Sequence, residues 1–151
     1  MGSDVIVCGP GWNDELGAFF ERYGGGEYRR GAQCFGILRD GNVVACVLFD
    51  GWNGASVYMH VAASVRHWCS RQYRRVVFDY AFRQLGCRAI IGLVAESNLK
   101  ARRFDEHLGF IESGRITDGC PDGDLIIYAL HRGRCKWYEV ENVKAESPSS
   151  A

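Results

Sequence analysis

No apolar run in these 151 residues reaches the roughly 18–20 residues of a membrane-spanning helix, so no span is expected. The first residues lack a basic stretch followed by an apolar one. That gives no reason to expect a secretory signal and makes a cytoplasmic protein the default expectation. Lysine is scarce: Lys100, Lys136 and Lys144 are the only three. The basic residues are otherwise arginine, which suits bidentate phosphate recognition better, although a compositional bias explains the arginine equally well. Net charge is absent too, at a formal value of +0, so nothing general points to nucleic acid. Cys8, Cys34, Cys46, Cys69, Cys87, Cys120 and Cys135 are odd in number and contain no CxxC pair. That speaks against a disulfide framework and against a zinc site. Most are expected to be small buried residues. His60, His67, His107 and His131 show neither HxxxH nor HxH spacing, and no metal is expected. Internal repeats are missing as well.

What remains is an ordinary globular composition, 47% hydrophobic and 24% charged, in a length that suits one domain. The domain is expected over 1–138, with a polar, disordered tail at 139–151. Asp4–Cys8 reads as a short strand, broken by Gly9-Pro10-Gly11. Asn13 or Asp14 offers an N-cap to a helix carrying Leu16, Phe19, Phe20 and Tyr23 at helical spacing. Strands at 34–38, 43–49 and 56–62 follow as an antiparallel meander, the first two joined by an Asp-Gly hairpin at Arg39–Asn42. The period then changes. Tyr73, Val76, Val77, Tyr80, Ala81 and Leu85 share one face of a helix over 70–85, with Gly86 as its C′ residue. Arg88–Val94 is apolar on both faces and reads as a buried central strand. Asn98 caps a helix over 99–108, ended by Gly109. Two strands at 110–116 and 125–130 close the order around a Pro121–Asp124 hairpin. The class is α/β, with a mixed, mostly antiparallel sheet and flanking helices.

Asn98-Leu-Lys-Ala101 followed by Leu108-Gly109-Phe110 resembles the N-x-x-A…L-G-F signature of the Gcn5-related N-acetyltransferase (GNAT) superfamily. Tyr80-Ala81-Phe82…Leu85-Gly86 is similar to a helix end in its ribosomal-protein branch. The match covers roughly residues 30–131, and small phage and bacterial members look nearest. The resemblance implies a splayed central strand pair, acetyl-CoA as co-substrate, and a cytoplasmic location in a bacterium or phage-infected host. It also implies that backbone groups of Val61, Ala62 and Ala63 bond pantetheine. The pyrophosphate would sit on the start of the next helix, where free N–H groups and the helix dipole favour an anion. The family usually writes that loop with glycines. Here Ser64–Gln72 has none, and Arg66 and Arg71 can reach phosphate instead, with Ser70 as cap or hydroxyl donor. Trp68 either covers the cofactor or anchors the core, Cys69 lies beside it, and Asn98 and Phe104 complete the implied cofactor contacts.

Acetyl transfer to an amine needs a base, an oxyanion donor and a proton for the leaving thiolate. The family places a base on the splayed strand, where this chain has His60, a residue type that changes charge near neutral pH; a structural histidine satisfied within the sheet is the other reading. Glu96 is a weaker alternative base, with a solvated helix-capping role expected first. The family acid, a tyrosine seven residues after the asparagine, is replaced by Asp105. Asp105 reads as a solvated helix residue, and it can serve as a donor only where burial raises its pKa. Tyr58 and Tyr80 are stand-ins by proximity. Acceptor residues are expected from the first helix and the loop after it, with Glu15, Phe19, Arg22 and Tyr23 as candidates. The acceptor itself, a small-molecule or protein amine, is not specified. Trp137 and Tyr138, expected to be exposed after the last strand, are candidates either for a homodimer contact or for packing on the domain itself. Two other readings stay open: a non-catalytic binding protein that keeps the fold, and a nucleic-acid-modifying acyltransferase suggested by the arginine-rich helix Arg71–Arg83.

Overall fold

In the computed structural model, which describes residues 4–137, the chain runs β1 (Asp4–Cys8), α1 (Pro10–Tyr23), β2 (Gln33–Arg39), β3 (Asn42–Asp50) and β4 (Ser56–Ala63). It continues with α2 (Arg71–Asp79), β5 (Ala89–Ala95), α3 (Leu99–Leu108), β6 (Ile111–Cys120) and β7 (Gly123–His131). The strands form one mixed, mostly antiparallel sheet in the order β1-β2-β3-β4-β5-β7-β6, so the expected α/β class holds. The expected tail at 139–151 and the contact residue Tyr138 lie outside the described residues. Among the described residues no helix is long and apolar enough to cross a membrane. The chain divides into two compact units. One contains residues 4–52 with Met59–Val77, and the other Asn53–Tyr58 with residues 78–137.

In the first unit, α1 starts earlier than its polar residues suggest. Gly9 takes φ 102° as the N-cap and makes no side-chain cap bond, while Pro10 stands at the first helical position. Proline fits there because that N–H has no intrahelical partner anyway. Asn13 is therefore not the cap. Its Oδ1 accepts the Cys34 N–H at 3.1 Å and ties the helix to β2. Leu16 and Phe20 are buried against Cys34, Cys46, Leu48 and Ala62. Each large apolar side chain so buried contributes roughly 1.5–3 kcal/mol. A Cβ at Gly36 would collide with Leu16, so the glycine lets the helix lie close on the sheet. Asp40 and Gly41 both take positive φ, 53° and 81°, in the β2–β3 turn that Asp-Gly announces. On α2, Tyr73 is fully buried, and its hydroxyl donates to the Phe35 carbonyl at 2.5 Å.

In the second unit, the expected single helix over 70–85 is not regular. A π-helical turn occupies Tyr80–Gln84, with the Leu85 N–H bonded to the Tyr80 carbonyl at 2.9 Å. The wider turn rotates the buried face. Phe78 and Phe82 stack at 6.4 Å and are buried, whereas Tyr80 and Leu85 stay half-buried. Gly86 then takes φ 69°, as a C′ residue should. Strand β5 pairs in parallel with β4 through Ser56↔Ala89, Val57↔Ile90 and Tyr58↔Ile91, and antiparallel with β7 along its length. Ile90, Gly92 and Val94 are buried, but Leu93 is 46% exposed. This corrects the expectation of a strand buried on both faces. The covered face meets α3: a Cβ on Gly92 would lie 3.1 Å from Asp105 Oδ2. Asn98 caps α3 by accepting the Ala101 N–H at 3.1 Å, and Gly109 ends it at φ 110°. The β6–β7 hairpin is longer than expected, and only Pro121 and Asp122 separate its strands. Asp118 at φ 57° and a register shift between Ile116 and Cys120 carry the first strand past its polar residues.

Candidate functional site

The end of β4 and the start of α2 belong to the first unit and carry most of the residues singled out in the sequence. Val61 and Ala63 are half-buried and Ala62 is buried. The next N–H, that of Ser64, donates to the Val44 carbonyl at 2.9 Å and closes the strand. The glycine-free loop still needs one left-handed residue, and His67 supplies it at φ 54°. Histidine is among the side chains that tolerate this conformation better than most. Ser70 acts as the cap: its Oγ accepts the Tyr73 N–H at 3.1 Å and its carbonyl accepts the Arg74 N–H at 3.0 Å. The N–H groups of Arg71 and Gln72 have no bonded partner among the described residues, as expected for a helix's first turn. They stand at the positive end of the helix dipole, and Arg66 in the loop and Arg71 at the helix start are exposed. Trp68 is buried, edge-on to Tyr73 at 5.7 Å, so it anchors this loop to the core. Burial pushes the Cys69 thiol up to about 11, against the pull of Arg74, which leaves it a poor nucleophile at neutral pH.

His60 lies on the same strand, half-buried, with Phe20's ring 5.7 Å away. Its Nε2 is 2.8 Å from Oδ1 of Asp50, the last residue of β3. Sequence reasoning missed Asp50. Followed by Gly51, it reads as a turn residue, and only strand pairing brings it to a histidine ten positions on. Among the proposed acceptor residues, Glu15, Arg22 and Tyr23 are exposed and Phe19 is half-buried. Phe19 and Tyr23 lie 4.6 Å apart, and the Arg22 guanidinium sits 5.2 Å over the Tyr23 ring.

The second unit holds Asn98, Phe104 and Asp105. Asn98 is exposed at the start of α3 and Phe104 is half-buried on that helix. Asp105 departs from its reading as a solvated residue. It is 6% exposed, its carboxyl has no hydrogen-bond partner among the described residues, and burial pushes its pKa up to about 7, with Glu106 adding to the shift. The i, i+4 pattern of α3 turns it inward with Leu108 and Ala101, and Gly92 leaves it room. Glu96 does not cap a helix. Its carboxylate pairs with Arg115, which also holds Glu112 at 2.9 Å, and this spends it as a base. Tyr80's phenol is raised by burial, which weakens it as an acid. Trp137 is half-buried rather than exposed. Among the described residues no group of three or more His, Cys, Asp or Glu could hold a metal ion.

No family model matches the sequence, and no curated protein matches it. Solved structures share the fold. A mutant of spermidine N-acetyltransferase SpeG from Vibrio cholerae superposes with a TM-score of 0.69 at 16% identity, covering 91% of this chain and 98% of that one. The same bacterium's spermidine N-acetyltransferase in complex with CoA and spermine gives 0.66 at 16% identity, covering 87% and 96%. A probable acetyltransferase gives 0.64 at 18% identity, covering 86% and 93%. At such identities the likeness is one of fold.

Proposed function

We propose that this chain, which has the fold of the Gcn5-related N-acetyltransferases, binds acetyl-CoA and moves its acetyl group to an amine. The observation that carries the reading is the start of α2. Two N–H groups without a bonded partner among the described residues, a helix dipole and the exposed Arg66 and Arg71 follow in the chain directly after a strand end with small residues at Ala62 and Ala63. That combination suits a pyrophosphate. In this reading the backbone of Val61, Ala62 and Ala63 holds the pantetheine arm, and Trp68, Cys69 and Ser70 shape the loop. The resemblance adds Asn98 and Phe104. Acetyl-CoA supplies a thioester carbonyl open to attack by a deprotonated amine.

His60 is the base of this reading. With Nε2 held by Asp50, the imidazole keeps Nδ1 to accept the amine proton. By the resemblance the position of the family's acid falls on Asp105, whose carboxyl keeps its proton up to about pH 7. Spermine bound by one structural neighbour makes polyamines the first acceptors to try. A second reading, a binding protein without catalysis, draws support from the glycine-free loop with a histidine at its left-handed position.

Calorimetry with acetyl-CoA tests both. The expected result is a one-to-one isotherm, weakened roughly 5- to 30-fold in Arg71→Ala by loss of about 1–2 kcal/mol of charge-assisted bonding. Folded protein that gives no heat with high-micromolar acetyl-CoA overturns the reading and leaves the non-catalytic one.

A further inference from the structure

In the first unit, the segment 24–32 joins α1 to β2, and one of its side chains holds it to the helix it has just left. Tyr28 lays its ring on Gly17, where a Cβ would collide with it. Its N–H donates to Glu21 Oε2 at 3.1 Å, and its hydroxyl donates to Asp14 Oδ1 at a long 3.4 Å. Positions 14, 17 and 21 are three and four apart, so all three partners share one face of α1. Little else secures the segment. Glu27, Arg29 and Arg30 are exposed, and their side chains make no hydrogen bond or ion pair among the described residues. Towards its ends, Gly25 and Gly31 take φ 73° and 99°. A Cβ on either would meet nothing within 4 Å, so these two glycines supply backbone freedom rather than room for a neighbour. Beneath the segment lies Phe20, 4% exposed, its ring so close that a Cβ on Gly24 or Gly26 would press on it. The same ring is 5.7 Å from that of His60.

We propose that 24–31 is a strap that swings at Gly25 and Gly31 to uncover Phe20 and admit the acceptor to His60, and that Tyr28 is its latch. This role rests on His60 as the base of the proposed transfer. Segments that move on binding come from the least stable parts of a fold, those with few buried contacts. One ring in a glycine notch and two hydrogen bonds, one of them long, meet that description. Opening also frees the Asp14 and Glu21 carboxylates, which attract an amine arriving protonated from water.

Hydrogen exchange of the full chain, without cofactor or acceptor, tests the latch. Tyr28→Ala and Gly17→Ala should each speed exchange over 24–32 by at least about 10-fold, with β2 and β3 unchanged. Gly17→Ala puts a better helix former into α1, so faster exchange in that variant does not come from a weaker helix. Tyr28→Phe keeps the ring in its seat and should change exchange by less than about 3-fold. Access to His60 is read by its acylation with diethyl pyrocarbonate, mapped by mass spectrometry. That rate follows the open population and should rise at least about 3-fold in both opened variants, while the exposed His67 and His131 react as in the wild type. Exchange over 24–32 that stays at the wild-type rate in both variants overturns the latch. Exchange that rises equally through β2 makes Tyr28 a core residue and overturns it too. An opened strap with His60 no more reactive overturns the gate. Acetyl-CoA calorimetry on the same proteins keeps the two readings apart: a folded chain that binds none loses the proposed function, while exchange still decides the strap.

Discussion

His60 in the first unit and Asp105 in the second are both candidate proton carriers, and their surroundings are opposite. His60 is half-exposed and held by a carboxylate at 2.8 Å. Asp105 is buried, and its carboxyl has no hydrogen-bond partner among the described residues. The first environment fixes the orientation of a group. The second penalises charge and so keeps the proton on. Orientation is provided by a neighbour, protonation by burial, and the two carry separate costs in stability.

The largest expected effect comes from removing the buried carboxyl. Asp105 has an ordinary pKa of 3.8 and a folded value of about 7. Below pH 3.8 it is protonated in both states and costs nothing. As pH rises from 3.8 to 7 the unfolded chain releases the proton and the folded chain keeps it, so stability falls across that window and levels off above it. Asp105→Asn should therefore be more stable than wild type at pH 8, by on the order of 2–4 kcal/mol, with the difference shrinking towards pH 5. If Asp105 is the acid, the same variant loses about 100-fold in kcat with acetyl-CoA binding unchanged. Urea titrations at pH 5 and pH 8, beside turnover of a polyamine acceptor, separate the outcomes. Equal stability of the two proteins at pH 8 would show that burial does not raise the carboxyl's pKa.

The oriented group predicts a smaller effect. Asp50→Asn keeps the shape and removes the charge beside His60. The half-exposed pair contributes only about 0.5–1 kcal/mol to folding. If it holds the imidazole for catalysis, kcat should fall about 10-fold while the KM for acetyl-CoA stays the same. A variant with full kcat would make the pair structural and remove His60's orientation from the mechanism.

The sequence's legibility follows the same division. Local signals were readable: the Asp40-Gly41 turn, the Asn98 cap, and Gly86 and Gly109 at helix ends all depend on neighbours in the chain. Signals that depend on distant partners were not. Asp50 looks like a turn residue until β3 and β4 are paired, and Asp105 looks solvated until Gly92 is seen to leave it space. The run Arg88–Val94 is apolar throughout, and composition alone does not say which side of a strand another part of the fold covers. Helix α1 starts before Asn13 and Asp14, because a proline at the first helical position needs no polar cap.

The smallest effect concerns the loop that precedes α2, where His67 does what a glycine does in the family pattern. At φ 54° its Cβ crowds the backbone, at roughly 1–2 kcal/mol for an ordinary residue and less for histidine. His67→Gly removes that strain but gives the unfolded chain more freedom, worth about 0.4–1 kcal/mol in the other direction. The two terms nearly cancel, so the melting temperature should move by no more than a few degrees. His67→Val, β-branched and ill-suited to a left-handed backbone, should destabilise by about 1–2 kcal/mol. Acetyl-CoA affinity in His67→Gly is expected to equal or exceed that of the wild type by up to several-fold, because a glycine lets the loop's backbone approach a pyrophosphate more closely. A weaker isotherm for this variant would mean that the imidazole itself contacts the ligand, and the loop would then recognise its anion by side chains where the family pattern uses backbone.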